Sequence, residues 1–150
     1  MRTWEDYKKT MVGLDNIWTA AKAENIERIR VFLMRGVPIE SRNARGFSPL
    51  MLAAYSGSRP RVEFLLGEGA DVDSPDAAGN SVLMGCAFKG HQEIAGVLLK
   101  NGAKISHQNH AGMDAYDFAV SFGRKKMAEF LMSSGARPRK IIWHRARTKS

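Results

Sequence analysis

Gly36, Gly69, Gly102 and Gly135 stand 33 residues apart, and Gly46, Gly79 and Gly112 keep the same step. Spacing this regular means that one structural unit has been copied along the chain. A period near 33 with helical patterning is the signature of stacked helix pairs, each too small to bury its own apolar face. Apolar residues recur at helical spacing before each stop glycine: Ile26, Ile29, Phe32 and Leu33, then Val62, Leu65 and Leu66. Ile94, Val97, Leu98 and Leu99, followed by Met127, Phe130 and Leu131, continue the series. The stop glycines at 36, 69, 102 and 135 fall where a helix ends and positive φ is needed.

A shorter helix is expected ahead of each of these. It starts near Ser48-Pro49 in the second unit, where proline's missing N–H leaves no bond unmade. The small pairs Ala20-Ala21, Ala53-Ala54 and Cys86-Ala87 let neighbouring first helices approach closely, which makes Cys86 buried filler rather than a reactive thiol. Between units, Asn or Asp followed three residues later by Gly is turn chemistry. The turns around 42–47, 75–80 and 108–113 are expected to project as a row of fingers on one side of the stack.

Aligned on the glycines, Gly46-Phe-Ser-Pro-Leu-Met-Leu-Ala-Ala-Tyr-Ser-Gly57 stands above Gly79-Asn-Ser-Val-Leu-Met-Gly-Cys-Ala-Phe-Lys-Gly90. Gly112-Met-Asp-Ala-Tyr-Asp-Phe-Ala-Val-Ser-Phe-Gly123 stands below both. This resembles the ankyrin repeat family, whose hallmark is Gly-x-Thr-Pro-Leu-His-x-Ala-Ala-x-x-Gly and, later, Leu-Leu-x-x-Gly-Ala. Ser48-Pro49-Leu50, Ala53-Ala54, Leu65-Leu66-x-x-Gly69-Ala70 and Leu98-Leu99-x-x-Gly102-Ala103 match it. The resemblance implies an all-α solenoid of helix-turn-helix units with projecting β-turn or hairpin tips. Repeats are expected at about 13–42, 43–75, 76–108 and 109–138, the first and last being atypical caps. Residues 1–12 would cap the first, with Trp4 and Tyr7, and 139–150 form a basic tail. The hallmark histidine, which in the family helps tie first helices to neighbouring turns, is replaced by Met51, Met84 and Asp117, so modest stability is expected.

The chain has 150 residues, one domain's worth, with 44% hydrophobic and 25% charged residues, as in a soluble globular protein. It has no run of about 18 apolar residues, so no membrane span is expected. Acids stand in the N-terminal stretch where a signal peptide would be apolar, so the expectation is a cytoplasmic protein, exported only with a leader not in this sequence. The net charge of +8 is uneven. Six of the 23 Lys and Arg lie in 137–150, which hold no acid, leaving 17 basic against 15 acidic residues in the preceding chain.

Little here points to reaction chemistry. His107-x-x-His110 has a spacing that metals use, but no Cys or acid stands near enough in sequence to complete a tetrahedral set. Asp71, Asp73 and Asp76 resemble the opening of a calcium loop yet lack its Gly and Glu, and turn or cap duty is the expectation. No phosphate loop or nucleophile elbow is present. Neither metal, cofactor nor enzymatic activity is expected.

The informative residues lie on the concave face that the resemblance implies, built from turn tips and the exposed ends of first helices. Those slots hold Arg42, Arg45 and Phe47, then Asn80, then His110 and Met113. The helix slots hold Lys22, Tyr55, Phe88 with Lys89, and Phe122. Tyr55, Phe88 and Phe122 are thus expected to form one aromatic strip, bordered by Arg42, Arg45, Lys22 and Lys89. Exposed aromatics with arginine are the composition of a binding hot spot. The alternative is that some rings tuck between repeats as core.

The leading expectation is a monomeric, non-catalytic module that docks a folded protein with an acidic contact surface, as scaffold, inhibitor or immunity-type protector. The alternative is a nucleic-acid or anionic-surface binder working through the tail, with steeply salt-dependent affinity. In that tail Ile141, Ile142 and Trp143 precede polar and basic residues. Removing 144–150 is therefore expected to leave the melting temperature nearly unchanged, whereas cutting from Ile141 lowers it. Equal melting temperatures for the two truncations would remove the capping role from these apolar residues.

Overall fold

Four pairs of helices follow the glycine step. The computed structural model describes residues 16–23 and 25–138, and these contain eight helices and no strand. The first helices are α1 (Ile17–Lys22), α3 (Pro49–Tyr55), α5 (Val82–Lys89) and α7 (Ala115–Ser121). The second helices are α2 (Ile26–Met34), α4 (Arg59–Gly67), α6 (Gln92–Lys100) and α8 (Lys125–Ser133), each of nine residues and starting 33 apart. Each first helix packs on its own second helix and on the first helix of the next pair, giving an all-α solenoid. The capping roles expected of Trp4, Tyr7 and Ile141–Trp143, and Gly13 of the first unit, lie outside the described residues.

The two central first helices, α3 and α5, are buried almost all round, which is why they read as near-continuous apolar runs. Pro49 to Ala54 and Val82 to Ala87 are all inaccessible. Ala20, Ala21, Ala53, Ala54, Cys86 and Ala87 are the small residues at the helix contacts, each at most 1% exposed. Burial pushes the Cys86 thiol up to about 12, so it is neutral and inert at physiological pH. The second helices bury one stripe only, through Ile29, Val62 with Leu65, Ile94 with Leu98, and Met127 with Leu131.

Helix starts are fixed by capping. The Ser48 and Ser81 hydroxyls each accept from the backbone N–H three residues on, of Met51 and Met84, at 3.2 Å. The terminal units, which lack the serine, use capping boxes instead. Asn16 pairs reciprocally with Thr19, and Asp114 with Asp117. Asp117 thus replaces the missing histidine with a different, local task.

Side chains at the starts of α4, α6 and α8 also satisfy carbonyls left open at the end of the previous unit's first helix. Arg61 Nη1 donates to Ala21 O and Ala23 O at 2.6 Å, although the residue is only 4% exposed. His91 Nε2 lies 3.1 Å from Tyr55 O, and Arg124 Nε donates to Phe88 O at 3.0 Å. A carbonyl can only accept, so His91 carries its proton on Nε2.

The fingers are built alike. Asn43, Asp76 and Asn109 each accept, through Oδ1, the backbone N–H groups two and four residues on at 2.9–3.0 Å. Neighbouring fingers are then tied by His107 Nε2 to Gly79 O, His110 N to Ala78 O and Asn109 Nδ2 to Asn80 Oδ1. Fingers approach so closely at Gly46 (φ +78°) that an added Cβ would stand 2.7 Å from Ala77 N. Gly36 has the same handedness (φ +86°) with nothing within 4 Å. Gly36→Ala is expected to cost roughly 1–2 kcal/mol, the left-handed penalty alone, and Gly46→Ala about 2–5 kcal/mol because backbone must also move. Urea midpoints of the two variants check the order; equal losses would refute the close approach.

Candidate functional site

The groove on the finger side is opened by the ends of the first helices, and the two central ones, α3 and α5, surface only at their last turn. Up to Ala54 and Ala87 the chain is enclosed; the next residues, Tyr55-Ser56 and Phe88-Lys89, emerge beside the fingers. In the last unit Ser121 and Phe122 do the same. Two clefts result.

The first cleft, of about 410 Å³, lies between Phe47 and Tyr55 on one wall and Phe88 on the other. The Phe47 and Tyr55 rings are 5.7 Å apart between centroids and tilted at 41°. Lys22, Arg45 and Lys89 rim it, and no acid lines it. Lys89 Nζ stands 5.9 Å from the centroid of the Phe88 ring, within cation–π range. The Tyr55 hydroxyl has a raised pKa, first through burial, then through the negative charge of Asp76 and through Cys86. Asp76 is occupied within its finger: Oδ1 accepts from the Ala78 and Asn80 backbone, and Oδ2 from Asn80 Nδ2 at 3.0 Å. Its charge is therefore partly spent before any ligand arrives.

The second cleft, of about 540 Å³, is floored by Phe118 and Phe122 and walled by His110, Met113 and Asn80. Phe88 and Phe122 meet edge to face with centroids 4.6 Å apart, and Phe118 and Phe122 at 5.7 Å. Phe122 is still 49% exposed. Apart from the imidazole of His110, no ionisable side chain lines this cleft.

Tyr55 and Phe88 line the first cleft together and Phe88 meets Phe122, while direct ring contacts pair Phe47 with Tyr55 and join Phe88, Phe122 and Phe118. The Tyr55 ring is a first correction: it lies over Gly85, where an added Cβ would be 3.1 Å from Tyr55 Cζ. That places the Tyr55 ring against the next first helix, half-buried rather than freely projecting.

Arg42 is a second correction. It was expected to border the groove, but it lines neither cleft. Its guanidinium clamps two fingers together, with Nη1 donating to Pro75 O and to Gly46 O (2.9 Å), and Nη2 to Ser74 Oγ at 2.7 Å. Asn80 lines the second cleft, yet both ends of its amide are engaged, by Asp76 and by Asn109. Phe118 was missed altogether. It occupies the slot of Leu52, and a phenylalanine inside a first helix reads as core.

Other groups with chemical potential have structural partners. Asp71 accepts from Asp73 N at 3.0 Å, and Asp73 from Lys104 N at 2.9 Å in the next unit. Among the described residues no group of three or more His, Cys, Asp or Glu could hold a metal ion. No described helix is long and apolar enough to cross a membrane.

A protein-family model described as ankyrin repeats (3 copies) matches residues 17–109 and, in a second overlapping match, residues 62–141. A comparison with curated proteins returned no match.

The different employment of two neighbouring arginines is testable. Arg42→Ala removes three hydrogen bonds, two of them to the adjacent finger, and is expected to cost about 1–2 kcal/mol of stability. Arg45→Ala, whose guanidinium makes no hydrogen bond to described residues, is expected to stay within about 0.5 kcal/mol. Denaturation curves check both; an unstable Arg45→Ala with an unaffected Arg42→Ala would reverse the assignment.

Proposed function

The chain belongs to the ankyrin repeat family, whose repeats are generally protein–protein interaction modules, and from that premise we propose a non-catalytic module that docks a folded protein partner in the finger-side groove. Binding is then the activity itself, exerted as scaffold, inhibitor or protector of the partner. The observation that carries this reading is the cationic first cleft: half-buried Phe47, Tyr55 and Phe88 under Lys22, Arg45 and Lys89, with no acid in the lining. Large aromatic groups at a solvent-facing groove supply contact area at low entropic cost. A rim of one sign steers an oppositely charged partner, so the partner's contact surface is acidic.

The partner is first obtained by capture from native lysate, and its association with the full chain is then followed kinetically. Phe122→Ala and Phe88→Ala are expected to weaken binding by roughly 1–3 kcal/mol each. Phe122→Ala, half-exposed, is expected to lose no more than about 1 kcal/mol of folding stability. Tyr55→Ala weakens binding and also costs stability, because its ring packs over Gly85. The association rate is expected to fall as salt rises. Well-folded variants that all bind normally would move the interface away from this groove.

A further inference from the structure

The two clefts occupy the same register positions two units apart. Arg45, Phe47, Leu52, Tyr55 and Ser56 line the first, and Ala111, Met113, Phe118, Ser121 and Phe122, each 66 residues later, line the second. The unit between them contributes to both, Phe88 and Lys89 to the first and Ala78 and Asn80 to the second, while its equivalent of Leu52 and Phe118 is Gly85, covered by the Tyr55 ring. The repeat has therefore produced two apolar seats that meet where Phe88 packs against Phe122.

Their chemistry differs. The first has three cations and no acid in its lining; the second replaces Arg45 by Ala111 and Ser56 by Phe122, and has only His110 as an ionisable group. An acidic side chain seated beside the first cleft gains attraction there, and in the second it would be desolvated against Phe118 and Phe122 without a Lys or Arg to meet it.

Resting on the groove reading above, we propose that this protein recognises one acidic–apolar segment of its partner through two unlike anchors, and accepts it in one direction only. The first anchor is an aromatic or aliphatic side chain next to an Asp or Glu, seated in the first cleft. The second is an uncharged apolar side chain seated in the second. Helices stack at about 8–10 Å, and the clefts meet at the contact of Phe88 with Phe122, so the anchors lie one to two units apart, roughly 8–20 Å. That span is about 2–6 residues of an extended segment, or about 5–13 residues of a helix.

The test is selection from a displayed library of random peptides, long enough for either spacing, on the full chain. Enriched peptides are expected to carry an acid beside the first anchor, a second apolar anchor at one of these spacings, and a single order of the two. Arg45→Glu/Lys89→Glu is expected to replace the acid by Lys or Arg, to weaken the parent peptide roughly tenfold or more, and to leave the second anchor unchanged. Ala111→Glu, at an exposed finger position, is expected to recruit Lys or Arg beside the second anchor only. Circular dichroism establishes that each variant is folded. Both orders enriched equally, a single anchor, or preferences that shift together in the two variants would overturn the two-anchor inference while leaving the groove reading intact. If every enriched peptide binds all the variants as it binds the parent, the interface is elsewhere and both fall.

Discussion

The close stacking of the first helices is the constraint on which the rest of this molecule depends. A solenoid unit touches only its neighbours, so its core must be built from the surfaces between units. Ala53-Ala54 and Cys86-Ala87 bring those helices together, and Leu50, Met51, Leu83 and Met84 fill the space around them. Each such large side chain contributes on the order of 1.5–3 kcal/mol when fully withdrawn from water. With α3 and α5 enclosed, only their last turns remain to face a partner, which brings Tyr55 and Phe88 to one cleft.

Enclosure has a polar cost, and the three unit junctions meet it with three different side chains. The carbonyls at the end of a first helix face the next unit, where water has limited access. Arg61, His91 and Arg124 each reach back to them across a junction. Only the geometry is conserved along the stack: a long or ring nitrogen donor near the start of a second helix. The fingers show the converse. There one device, an Asn or Asp accepting two backbone N–H groups, is used three times, and cross-finger ties vary around it. These ties take over the work for which Met51, Met84 and Asp117 offer no imidazole.

The groove inherits its unevenness from single-residue differences between copies. Gly85 leaves room for the Tyr55 ring against the next first helix. Arg45 and Lys89 charge the first seat, and Ala111 and Phe122 leave the second apolar. One repeated backbone thus carries two clefts of different lining, and the framework tolerates the changes at Arg45, Lys89, Ala111 and Phe122 because these are exposed turn tips and helix ends.

The sequence by itself determined the repeat, its phase and the helix stops, because these rest on local requirements. Positive φ at Gly36 and Gly69, a capped helix start at Ser48, and apolar spacing at Leu65 and Leu98 each act within a few residues. It also brought Arg45, Phe47, Tyr55 and Phe88 to one cleft and His110, Met113 and Phe122 to the other, since slots in a repeat fix direction as well as position. Only the tertiary structure decided what long or large side chains do when they have a choice of neighbours. Arg42 and Arg45 stand three residues apart in one finger, yet Arg42 is spent on Pro75 and Ser74 because those acceptors lie in the adjacent finger. Phe118 reads as core and surfaces in a cleft, while Tyr55 reads as surface and lies over Gly85. For Arg42 and Tyr55 the deciding partner lies about one repeat away, in a contact that no local pattern encodes.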